Sequence, residues 1–301
     1  MNKQAILIMA HNNYWTLTQL IKSIDSNYFD IYLHVDLKSS IKINKIEIKK
    51  MVKKSKIYLY QKFDVRWADF SQVECELFLM KQAKSHENYL YYHLLSGVDM
   101  PLKSPSYIYN FFINNAGKEF IHFVSNTFPK KKKNYYTKYQ KNMKNYRKSN
   151  VEKIKNKISL FIQNIFLVDR QKKSSTIFMT GANWFSITDS LVQYVLDNEK
   201  WIYDNFYETR SSDEIFLQTL VYNSKFRDNL YNNEFNNNYI SCVRLIDWNR
   251  GDPYIFKEND YEELINSKCM FARKFDEKID KIIIKKLRDY TQNKGVDNEK
   301  K

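Results

Sequence analysis

Ala5-Ile-Leu-Ile-Met9, Tyr14-Trp-Thr-Leu-Thr-Gln-Leu-Ile-Lys-Ser-Ile24 and Asp30-Ile-Tyr-Leu-His-Val35 follow one another near the start of the chain. The first and third are apolar runs of strand length. The middle one repeats apolar residues at Leu17, Leu20, Ile21 and Ile24, the spacing of one helix face. Strand, helix and strand in that order predict a parallel pair joined by a crossover helix, the unit from which an open α/β sheet is built.

Further along, Lys56-Ile-Tyr-Leu-Tyr60 reads as a third strand after a basic helical stretch from Ile43 to Lys54. Ser71-Gln-Val-Glu74 has capping-box spacing, predicting a helix with Ser71 at its N-cap that runs to about Ala83. Tyr89 to Leu95 reads as a buried strand ending in the turn Ser96-Gly-Val-Asp-Met-Pro101. Strand character returns from Ile177 to Thr188 and helix character from Leu191 to Leu196. Ser211-Ser-Asp-Glu214 repeats the capping-box spacing ahead of Ile215 to Val221. Between these, Pro129 to Lys155 is dense in Lys, Tyr and Asn, a basic excursion grading into a helix over Val151 to Phe166. No repeat and no Gly/Ser linker divides the chain. The expected organisation is one domain over 1–276, with the excursion at about 129–155, then a C-terminal helix and polar tail over 277–301.

A chain of 301 residues that is 43% hydrophobic can fill a sizeable core, which excludes a disordered or fibrous class. Its 49 basic and 34 acidic residues leave a net charge of +15, suited to polyanions, anionic membrane surfaces or phosphorylated small molecules. Cys75, Cys242 and Cys269 form no C-x-x-C pair, so a reduced compartment is expected. An apolar strand so close to the first residue leaves no room for a signal peptide, and no apolar run approaches a membrane span. The expected location is the cytoplasm, with peripheral contact at the inner face of an anionic membrane.

Neither G-x-G-x-x-G nor G-x-x-x-x-G-K-[ST] occurs, which removes dinucleotide-binding and P-loop readings. Ligands of open α/β sheets collect beyond the carboxyl ends of the strands. There the chain carries His11-Asn-Asn13 after the first strand and His34-Val-Asp-Leu-Lys38 after the second. Such groups can bind a base and ribose, although a loop carboxylate such as Asp36 can equally cap a helix. No Asp-x-Asp follows a predicted strand to hold a divalent metal.

An ordered set of segments then carries a resemblance. They are Ile6-Leu-Ile-Met-Ala-His11, Leu33-His-Val-Asp-Leu-Lys-Ser39, Val65-Arg-Trp-Ala-Asp-Phe-Ser71 and His93-Leu-Leu-Ser-Gly-Val-Asp-Met-Pro-Leu-Lys103, followed by Gly181-Ala-Asn-Trp-Phe185, Ser212-Asp-Glu214, Val243-Arg244 and Phe271-Ala-Arg-Lys-Phe-Asp276. The chain resembles the core-2/I-branching β-1,6-N-acetylglucosaminyltransferase family, which includes the protein xylosyltransferases, and reads as a bacterial member of it. Ser212 stands where that family often has Pro, and the cysteine pairing of its animal members is missing.

The resemblance implies a GT-A-like α/β fold, an open mixed sheet flanked by helices. It also implies an inverting glycosyltransferase that works without a divalent metal or other cofactor. Matched motif to motif, the general base falls on Glu214 and the two cations that hold the leaving UDP on Arg244 and Lys274. Asp36 and His11 fall at the nucleotide-sugar site. Trp184, Trp248, Asp213 and Asp99 are the sugar and acceptor-pocket candidates. The expected donor is UDP-GlcNAc, with xylosyl or glucosyl transfer as the nearest alternative. The expected acceptor is a hydroxyl of a glycan or lipid-linked glycan in surface polysaccharide synthesis, and no nucleic acid is expected as a partner. The rival from another class is a non-catalytic basic protein that binds polyanions. For Glu214 the plain alternative is helix capping; for the two tryptophans it is core packing.

Overall fold

The computed structural model describes residues 2–39, 45–125, 127–128, 133–140, 149–170 and 174–298. In chain order its strands and helices are β1 (Gln4–Ala10), α1 (Tyr14–Ile24), β2 (Phe29–Val35), α2 (Lys45–Met51), β3 (Ile57–Tyr60), α3 (Ser71–His86), β4 (Tyr91–Ser96), β5 (Asp99–Pro101), α4 (Pro105–Asn114), β6 (Phe120–Ile121), α5 (Lys133–Thr137) and α6 (Asn150–Ile165). They continue with β7 (Phe185–Thr188), α7 (Asp189–Asp197), α8 (Glu199–Phe206), α9 (Phe216–Tyr222), β8 (Arg244–Ile246), α10 (Tyr261–Asn266), β9 (Phe271–Arg273) and α11 (Lys281–Asn298).

Six strands form one sheet in the order β3-β2-β1-β4-β7-β6. β1 to β4 run parallel, while β7 is antiparallel to both β4 and β6, so the sheet is open and mixed, as expected for a GT-A-like fold. β1 alternates between two cores. Ile6 and Ile8 pack with α1 and α11 residues such as Leu17, Ile283 and Leu287, whereas Ala5 and Leu7 pack with α3 and α9 residues such as Leu77 and Phe216. With helices covering both faces, the strands need continuous apolar sequence, which is why β1 and β2 read so plainly.

Several expectations change in the structure. Ser71 lies inside the first turn of α3 rather than at its N-cap, and its hydroxyl accepts the backbone N–H of Arg66, so the predicted capping box does not form. The turn over 96–101 contains β5, which joins β9 and β8 in a second sheet of order β5-β9-β8. Only Phe185–Thr188 of the 177–188 segment is strand. In the 129–155 excursion α5 is helical, whereas 129–132 and 141–148 lie outside the described residues. Among the described residues no helix is long and apolar enough to cross a membrane.

Candidate functional site

A cleft of about 1080 Å³ opens beyond the carboxyl ends of β1, β2 and β4. It lies where β1 separates β2 on one side from β4 on the other, the place where an open α/β sheet leaves room for a ligand. His11 to Asn13 line it after β1, His34, Asp36 and Lys38 at and beyond the end of β2, and Ser96 and Val98 at and just beyond the end of β4. Most of the remaining wall comes from 65–68, 181–184, 213–214, 252–253 and 273–276, together with Tyr239 and Trp248.

The β2 side is tightly hydrogen-bonded. Asp36 is buried, and its carboxylate accepts the backbone N–H of Lys38 at 2.7 Å. Lys38 donates through Nζ to the carbonyl of Val65 at 2.9 Å and pairs with Asp64, which also pairs with Arg66. His34 is buried, and its Nε2 accepts two backbone N–H groups, from Lys62 at 3.2 Å and Phe63 at 3.0 Å. Burial pulls its pKa down to about 4 against a smaller upward pull from Asp36, so the ring is neutral and can serve as an acceptor. Burial also lowers the pKa of His11; Asp36 opposes this, while Arg273 and Lys38 add to it.

Glu214 stands in a short 3₁₀ turn, Ser212–Glu214, ahead of α9. Ser211 precedes it in the left-handed region and makes no side-chain cap, so the expected capping box does not form; the N–H of Glu214 instead donates to the Ser211 backbone carbonyl at 3.1 Å. The backbone carbonyl of Glu214 accepts the N–H of Gly181 at 2.9 Å and the hydroxyl of Thr180 at 2.8 Å, which fixes one loop of the cleft against the other. A Cβ on Gly181 would stand 1.7 Å from the carbonyl oxygen of His122, so only glycine fits. The Nδ1 of His122 accepts the N–H of Ala182, and its ring stacks on Tyr239 at 4.1 Å. Trp248 hydrogen-bonds the Tyr239 phenol, whose pKa burial raises to about 12. Beneath this wall the fully buried Glu76 has its pKa raised by burial and then by Asp213.

Glu214, Lys274, Asp36, His11, Trp184, Trp248 and Asp213 therefore line one cleft, although they are dispersed between positions 11 and 274. Arg244 and Asp99 do not line it. The Arg244 guanidinium points into the protein, donating to the carbonyls of Cys242 at 2.9 Å, Phe185 at 3.0 Å and Leu94 at 3.3 Å and to the Ser186 hydroxyl at 3.2 Å. It also lies over the ring of Phe271. Arg244 thus ties β4, β7 and β8 together.

Beside Lys274 the cleft carries Arg273, a residue that motif matching passed over, and Lys38 and Arg66 line it on the β2 side. Register pairs Arg273 with Asp99 across β5 and β9, and the buried Asp99 carboxylate holds it at 2.9 Å. Its guanidinium covers the Trp184 ring at 4.4 Å. Lys274 follows at the strand end. The available sequence signal was adjacency: two neighbouring cations inside one quoted motif. Arg66 and His34 are further lining residues that lay inside quoted segments without being chosen as site residues, and Tyr239 is one that lay outside them all. Among the described residues no group of three or more His, Cys, Asp or Glu side chains is arranged to hold a metal ion.

Comparison with known proteins follows the same lines. The family model described as "Core-2/I-Branching enzyme" matches residues 5–270. Xylosyltransferase 2 of Rattus norvegicus is 23% identical over 294 residues, covering 90% of this chain and 31% of that protein. Xylosyltransferase 2 of Canis lupus familiaris is 22% identical with the same coverage. The chain thus spans 31% of the length of these curated relatives. Among solved structures, S. aureus TarS residues 1–349 is similar at a TM-score of 0.32 and 9% identity, covering 65% of this chain and 49% of that one. With the family model matched over residues 5–270, the chain belongs to the core-2/I-branching enzyme family of glycosyltransferases, related to the xylosyltransferases.

Proposed function

We propose that the cleft transfers a sugar from a UDP-sugar to a hydroxyl of a glycan or lipid-linked glycan, with inversion at the anomeric carbon and without a divalent metal. The observation that carries this reading is the convergence of Asp36, Glu214 and the adjacent pair Arg273 and Lys274 on one cleft from three distant parts of the chain. In a single displacement the acceptor oxygen forms a bond to C1 as the bond from C1 to the UDP oxygen breaks. The acceptor proton passes to the Glu214 carboxylate, and the bonding electrons leave with UDP. Negative charge then grows on the diphosphate, where Lys274 acts as a point charge and Arg273 as a planar fork. Asp99 is a positioning residue that holds that fork. Asp36 and His11 serve the nucleotide end, and Trp184 and Trp248 offer apolar faces to the sugars.

UDP-GlcNAc is the donor this reading favours, and surface polysaccharide the product. UDP-xylose is the second reading, favoured by the names of the similar proteins. A UDP-sugar panel read by thermal shift distinguishes them, because a ligand that binds only the folded state raises apparent stability. Turnover that persists in EDTA, and a Glu214→Gln variant that binds donor without transferring it, are the expected results. Activity that disappears with chelator and returns with Mn²⁺ overturns the cation-pair mechanism.

A further inference from the structure

α6 has no buried residue. Val151, Ile154, Ile158, Phe161, Ile162 and Ile165 are each between 46% and 65% exposed, and Phe166 and Leu167 just beyond them are 75% and 74% exposed. At 3.6 residues per turn the six α6 side chains form one stripe about 100° wide. A helix on a soluble protein normally turns such a stripe toward the core. α6 does the reverse. Hydrogen bonds tie its other side to the body: Gln163, about 150° around the helix from the middle of the stripe, donates to the carbonyl of Tyr139 and accepts its N–H, both at 2.8 Å. Lys138 donates to the carbonyl of Val168 just after the helix.

The charge around the stripe fits one kind of partner. Lys155 and Lys157 flank it, about 20° beyond Ile162 on one side and about 40° beyond Phe161 on the other, where long side chains can lie along an apolar surface with the ammonium at its edge. The single acid of the helix, Glu152, lies away from the stripe and pairs with Lys155 at 3.2 Å. The sequence leading into the helix, 130–148, contains nine Lys or Arg and no Asp or Glu. An apolar stripe bordered by lysines within a basic sequence is the pattern of a helix that lies in the plane of an anionic bilayer.

We infer that α6 is an interfacial helix that docks this protein on an anionic lipid surface through the Val151 to Ile165 stripe, with Lys155 and Lys157 at the headgroups. The docked face is connected to the cleft. Next to α6, Gln140 donates its N–H to the carbonyl of Glu208, and Tyr135 of α5 packs against Arg210, whose guanidinium also faces the cleft residue Trp67. Docking therefore brings the cleft close to acceptors carried at a membrane, while lipid binding itself requires no donor and no transfer.

The test is sedimentation of the full chain with vesicles of 30% phosphatidylglycerol in phosphatidylcholine, against phosphatidylcholine alone, in 0.1 M and 0.5 M NaCl. Binding to the anionic vesicles that weakens with salt is expected. Ile158→Ser with Phe161→Ser should reduce it at least tenfold, at unchanged melting temperature because neither side chain is packed. Lys155→Gln and Lys157→Gln should each weaken it about fivefold. Absence of binding to anionic vesicles in 0.1 M salt overturns the inference. So does undiminished binding by the double variant, which would assign the lipid contact to another surface. Self-association that the double variant abolishes, with no lipid binding, would make the stripe a contact between copies and overturn it equally.

Discussion

His34 couples the pH dependence of stability to the wall of the cleft. Its neutral Nε2 accepts the N–H groups of both Lys62 and Phe63 and so holds the loop that carries Arg66 and Trp67. An imidazolium has no acceptor there, and protonation would leave two backbone donors facing a third. The pKa lies at about 4 in the folded protein against an ordinary 6.5. A histidine with a lowered folded value contributes stability that is complete above 6.5 and is lost as pH falls toward 4. That gap, at 1.36 kcal/mol per pH unit, corresponds to about 3 kcal/mol in total, of which about 2 kcal/mol is lost between pH 7.5 and pH 5. Other groups titrate over the same range, so the contribution is isolated by comparison with His34→Gln, whose amide oxygen can accept the same N–H groups without titrating. Urea unfolding of both proteins at pH 7.5 and 5.0 gives the difference. The wild type should lose about 2 kcal/mol more than the variant on acidification. Curves that stay parallel within about 0.5 kcal/mol would show that His34 titrates alike in folded and unfolded chains, and the hydrogen-bonding account would fail.

The two basic residues named first from sequence should behave differently when removed. Lys274→Gln is expected to leave the melting temperature nearly unchanged and to lower kcat by about 10²- to 10³-fold in a transfer assay. Arg244→Ala should cost about 2 to 4 kcal/mol in urea unfolding, because the buried carbonyls of Leu94 and Phe185 lose a charged donor. Gly181→Ala places a methyl 1.7 Å from the His122 oxygen and should destabilise by at least about 2 kcal/mol in the same measurement, with weaker donor binding as the loop shifts.

The β-α-β start was legible because each segment is short, regular and buried on both faces, so local periodicity carries the information. The same holds for the positions of His11 and Asp36, which follow from where β1 and β2 end. β5 and β9 gave no such signal: strands of three residues are too short to show a period, and their partners are far apart in sequence, 174 positions for Asp99 and Arg273. That pairing is what turns Arg273 into the cleft.

From the order of its residues this chain specified an open α/β sheet, a cleft beyond its strand ends, and Glu214 and Lys274 as groups of that cleft, since motif and periodicity are local properties. Long-range packing settled the rest. Arg244 and Arg273 are chemically alike, and their different roles follow from which buried carbonyls and which carboxylate the assembled strands bring within reach. α6 is amphipathic in sequence, but the outward direction of its apolar stripe depends on where the fold anchors Gln163.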